Sequence, residues 1–76
     1  MRHSDSAFYS ALGTRIRNLR LASGISAADM ASICKMGARQ YSNAESHGAG
    51  LTFDRLHCIG RSLGTTVDFV TAGLTD

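Results

Sequence analysis

The chain has 76 residues, eight Lys and Arg against six Asp and Glu, and a formal net charge of +2. That describes one small domain with a marginal core, since a chain of this size buries only about 60% of its unfolded surface. Mild basicity permits nucleic-acid binding without demanding it, and no apolar run approaches the ~20 residues of a membrane span.

The opening stretch MRHSDSAFYS carries no apolar signal-peptide core, so the expected compartment is the cytoplasm. Seven of the eight cations are Arg, with Lys35 the exception. Arg makes bidentate contacts to phosphate or guanine, and it is equally common in structural ion pairs. The two cysteines, Cys34 and Cys58, lie far apart and form no CxxC or CxxH spacing, so neither a metal site nor a cofactor is expected. Cys34 reads as a core thiol and Cys58 as a more exposed one, with little reason to expect a disulfide between them. One Glu, three scattered His and two Cys show no nucleophile–base arrangement, so no enzyme is expected.

Glycines at 13, 24, 37, 48, 50, 60, 64 and 73 do most of the punctuation, and there is no Pro. No stretch alternates at period two, so the predicted class is all-α. Phe8, Leu12, Ile16 and Leu19 recur at helical spacing and predict a first helix from about Ser6 to Ala22, ended by Gly24. Ser26 is a good N-cap, with Asp29 at the third helical position, and Ala27, Met30, Ala31 and Cys34 form the inward stripe of a second helix. A third helix spans about Ala38 to Ser46 with Tyr41 and Ala44 inward, ending at His47 or Gly48. Gly48-Ala49-Gly50 connects to a fourth helix, capped by Thr52, with Leu56, Ile59, Gly60 and Leu63 as its stripe. Thr66 caps a fifth helix from Val67 to about Ala72. Five short helices around one core, in a single domain over 1–76, is the predicted architecture.

The segments SAADMASICKM and YSNAES, joined by a tight turn within about 26–46, have the layout of a helix-turn-helix. With LGTRIRNLRLASGIS before them and LHCIGRSLGTTVDFV after them, about Leu12 to Gly73 resembles the phage-repressor and Cro-type helix-turn-helix proteins, often called the XRE family. The resemblance implies a five-helix lambda-repressor-like domain whose C-terminal helices fill about 52–73. It implies a sequence-specific, dimeric DNA-binding regulator of bacterial or phage origin, an expected repressor acting on an inverted repeat. Four positions depart from the pattern. Ala27 stands where the family usually has a phosphate-touching Gln. Lys35 stands at a turn position that is normally Gly, so φ > 0 there would carry about 1 kcal/mol of strain. Gly37 replaces a Ser or Thr cap, and His47 replaces a Gly, with Gly48 next.

A groove-inserted helix reads bases mainly from its N-terminal residues. Arg39 can donate to guanine O6 and N7, Gln40 or Asn43 can pair with adenine, and Ala38 can pack on a thymine methyl. Ser26 and the backbone of Ala27 lie at a helix N-terminus, which favours anions. By resemblance Lys35, Ser46, Thr52 and Arg55 flank the groove, and with the outward Ser42 they complete the expected phosphate contacts. Also by resemblance, Glu45 pairs with Arg20 as a structural ion pair. Val67, Phe69, Val70 and Leu74 form the expected dimer interface, although Val67 and Val70 can also face the core. Double-stranded DNA and a second copy are therefore the expected partners. The alternatives are a protein-interaction module on the same fold, with a protein partner and no DNA binding, or an antitoxin or controller protein with autoregulatory DNA binding.

Overall fold

The apolar spacings become five helices in chain order, α1 His3–Ala22, α2 Ala27–Ile33, α3 Ala38–His47, α4 Phe53–Ser62 and α5 Val67–Thr71. The computed structural model describes residues 3–71, with the side chains of 3–6, 67 and 71 left out, and there is no strand among the described residues. α1 begins three residues before the predicted Ser6, because the polar run Ser4-Asp5-Ser6 suits a first turn as well as a cap. Its stripe buries Leu12 and Ile16 fully, with Phe8 and Leu19 packed at the margin.

Ser26 caps α2, its Oγ accepting from the Asp29 N–H at 3.0 Å. Met30, Ala31 and Cys34 face the core as expected, but Ala27 does not: the first turn of α2 projects past the core and leaves it exposed. The chain leaves α2 through Lys35, whose φ of 56° is the left-handed conformation anticipated at a Gly position. That turn brings Met36 back inside, its N–H donating to Ala31 O at 2.8 Å, a core residue the periodicity did not reveal.

α3 buries Tyr41 and Ala44 and stops at Gly48, which takes φ 72° and donates its N–H to Ala44 O at 2.8 Å. A side chain there would run into the backbone of Tyr9, so Gly is required on two counts. Thr52 caps α4, accepting from the Arg55 N–H at 3.3 Å, and Ile59 and Gly60 meet the core. The Thr66 Oγ1 accepts from the Phe69 N–H at 3.1 Å and begins α5.

α3 packs most extensively on α1 and then on α2. α2 also touches α4, and α5 closes the domain against α1 and α4. The closeness of α1 and α3 comes from Gly13. It is buried inside α1, and a Cβ there would meet the Glu45 carbonyl and come within 2.6 Å of the Ala44 carbonyl. Gly13 is therefore a contact point between two helices rather than a break in one.

Candidate nucleic-acid interface

α3 is gripped along one side and open along the other. At 100° per residue, Tyr41, Ala44 and Glu45 point to the core side. Arg39, Ser42, Asn43 and Ser46 form the opposite stripe, and all four are exposed. Ala38 and Gln40 flank this stripe at the first turn and are exposed too. Ser46, expected at a phosphate, lies on the same line as Arg39, two turns further along.

The charge of this face follows from Glu45, the one acid in α3. Its carboxylate is turned inward and held by Arg20, Nε to Oε2 at 2.6 Å and Nη2 to Oε1 at 3.2 Å, with the two side chains 8% and 9% exposed. Arg20 Nη1 also donates to Ile25 O at 2.8 Å, so one guanidinium ties α1, the end of the α1–α2 connection and α3. Burial pushes the Glu45 carboxyl upward, but the hydrogen bond and charge of Arg20 overcome this and hold it below the usual carboxylate value. The Tyr41 hydroxyl is buried beside this pair without a partner in hydrogen-bonding geometry. Burial first, and then the neighbouring Glu45 carboxylate, raise its pKa and keep it protonated.

With Glu45 withdrawn, Arg39 shares the outward stripe only with neutral polar residues. It makes no hydrogen bond or ion pair with the described residues, nor does Lys35, which is exposed on the turn. Asn43 is likewise exposed on the surface of α3.

Gln40 is more constrained than the sequence suggested. Its amide lies 3.4 Å from the Gly37 N–H and, with its oxygen turned the other way, 3.1 and 3.2 Å from Nη2 and Nη1 of Arg55. Two charged donors outweigh one long amide contact, so the oxygen belongs toward Arg55. Arg55 Nη1 also donates to Gly50 O at 2.8 Å. Gln40, Arg55 and Gly50 thus link the start of α3 to the α3–α4 connection. Nothing local in the sequence announces this chain, because the partners meet only once α3 and α4 are placed.

Ser26 and Thr52 are caps, as expected, and both are exposed. Each uses an oxygen lone pair for the cap, so its hydroxyl proton stays available to donate outward. Ala27 can offer only its backbone N–H.

The expected dimer surface needs correction at Val70, which is 0% exposed and belongs to the core, where it supports α5 from within. Phe69 is 54% exposed and Phe53 is 69% exposed, stacked on His57 with ring centroids 6.3 Å apart. The side chain of Val67 and all of Leu74 lie outside the described residues.

The sequence also missed the relation between the cysteines, whose sulfurs are 3.0 Å apart across α2 and α4. No group of three or more His, Cys, Asp or Glu is placed to hold a metal among the described residues. No helix among them is long and apolar enough to cross a membrane. Comparison of the chain with family models, with curated proteins and with solved structures finds no match.

Proposed function

We propose that this chain is a sequence-specific DNA-binding transcriptional regulator that lays α3 in the major groove, in the manner of the phage-repressor and Cro-type proteins it resembles. The observation that carries the reading is the outward face of α3. Arg39, Ser42, Asn43 and Ser46 are exposed together, while the helix's one carboxylate is turned inward onto Arg20. A face with hydrogen-bonding side chains and no acid suits base edges between two rows of phosphates. A purely solvated helix face has no need to withdraw its acid.

In this reading Arg39 and Asn43 are the main base readers, with Ala38 against a thymine methyl. Gln40 works jointly with Arg55, which already holds its amide. Ser26, Ala27, Lys35, Ser42, Ser46, Thr52 and Arg55 set the register on phosphates without specifying sequence. Exposed Phe69 serves a twofold contact between two copies, which places two copies of α3 about 34 Å apart.

Selecting bound sequences from a random pool of double-stranded DNA tests the reading. The expected result is an inverted repeat with half-sites one helical turn apart, whose affinity falls steeply with salt as counterions leave the phosphates. No enriched sequence, together with salt-independent binding to a protein partner, would replace this reading by an interaction module. For the twofold contact, Phe69→Asp should lower the sedimentation mass at micromolar concentration, and a monomeric wild type would end that part of the proposal.

A further inference from the structure

Cys34 and Cys58 take no part in the proposed DNA-facing surface, yet their sulfurs are in direct contact. Cys34 forms the C-cap of α2 and is buried, whereas Cys58 lies within α4 and is partly exposed. The Cys34 thiol donates to Cys58 Sγ at 3.0 Å, within about 1 Å of a disulfide bond length. The Cys58 thiol in turn faces Ile33 O at 3.7 Å. An open surface depression lined by Ile33, His57, Cys58, Arg61 and Ser62 gives small reagents access to Cys58 but not to Cys34. No third His, Cys, Asp or Glu is placed with them to complete a metal-binding group among the described residues.

We propose that Cys34 and Cys58 form a dithiol site that hydroperoxides oxidise to an intramolecular disulfide, fastening α2 to α4. Cys58 attacks first because it is the sulfur that faces the depression. Its sulfur displaces alkoxide, or hydroxide for hydrogen peroxide, from the peroxide O–O bond. The thiol proton ends on that leaving group, and Cys58 becomes a sulfenic acid. Cys34 then attacks the sulfenic sulfur, the S–O bond breaks, and the Cys34 proton leaves with the hydroxyl as water. Two thiols lose two electrons and two protons, and the peroxide is reduced to an alcohol and water. Burial, followed by the neighbouring Cys58 sulfur, pushes the Cys34 thiol up to about 12. It therefore stays protonated and is not the thiol that reacts first with the peroxide.

The resulting cross-link closes a loop over residues 35–57, which contains all of α3 and the Thr52 cap. Closing a loop of about 25 residues restricts the unfolded chain and should raise the melting temperature by on the order of 10 °C. The site is independent of the DNA-binding proposal and survives its failure.

The test treats the reduced full chain with hydrogen peroxide. Expected are an intact mass lighter by two hydrogens, a Cys34–Cys58 linked peptide on non-reducing digestion, and a melting temperature raised by on the order of 10 °C that dithiothreitol restores. Cys34→Ser should leave a sulfenic acid on Cys58 that dimedone captures, and Cys58→Ser should leave Cys34 unmodified. Sulfinic acid on Cys58 of the wild type, a disulfide between two chains, or both thiols unreacted would overturn the proposal. Dimedone capture at Cys34 would overturn the assignment of Cys58 as the attacking thiol.

Discussion

The two sides of α3 differ in what constrains them. On the inner side every residue is held by the fold: Tyr41 and Ala44 are packed in the core, Glu45 is bound by Arg20, and the backbone at Ala44 and Glu45 touches Gly13. On the outer side Arg39, Ser42, Asn43 and Ser46 are exposed, and the fold asks nothing of them. One short helix thus separates residues that make the domain from residues that can act for it. Substitutions on the two sides should therefore fail in different experiments, and that separation can be broken or sharpened in four steps.

Glu45→Ala should have the largest effect. It leaves the Arg20 guanidinium buried without its counter-charge, which costs about 3–5 kcal/mol on unfolding in denaturant. The same pair sets an acid limit. Because the folded state holds Glu45 below its usual pKa, the unfolded chain binds more protons as pH falls. The pair's contribution is then complete at neutral pH and is lost below about pH 4.5, a loss that Glu45→Gln should flatten in melts recorded against pH. A Glu45→Gln variant of unchanged stability but altered DNA preference would move Glu45 to the outer side.

Gly13→Ala comes next, at about 1–3 kcal/mol, because its methyl group meets backbone that cannot rotate aside. A smaller effect of opposite sign is expected at the turn. Lys35→Gly relieves about 1–2 kcal/mol of left-handed strain and loses about 0.4–1 kcal/mol to the freer unfolded chain. Thermal melting should thus show a gain of roughly 0.5–1 kcal/mol, while binding to all DNA sequences weakens about equally. Arg39→Ala should change stability least, within about 0.5 kcal/mol. Its effect belongs in the binding assay, as about 1–3 kcal/mol of lost discrimination at one base pair of each half-site. If Arg39→Ala unfolds the domain, or binds its selected site like wild type, the division between the two sides is wrong.

Features written locally in the chain were legible before the structure. The caps at Ser26 and Thr52, the stripes through Leu12, Ile16, Met30, Tyr41 and Ile59, and a stop at His47 or Gly48 depend on neighbours within a turn or two. The left-handed Lys35 was anticipated only through the resemblance, in which that turn position is normally Gly. What the sequence hid depends on how helices lie across each other. Gly13 read as punctuation because its contact is in α3. Gln40 read as a free amide because Arg55 arrives from α4, and Val70 stayed open between dimer interface and core because α5 is too short for its periodicity to declare a face. Cys34 and Cys58 looked unrelated because they lie 24 positions apart and only the packing of α2 on α4 brings them together.

The crossing at Gly13 has a mechanical consequence. Most helix pairs are cushioned by side chains whose rotamers can give way under a small displacement. Here the α1 backbone rests directly on the carbonyls of Ala44 and Glu45, and no side chain stands between them to yield. The joint is stiff in compression, so a load that tilts α1 must tilt α3 with it. Anything that grips α1, far from the stripe of Arg39 and Asn43, therefore has a direct handle on where that stripe points.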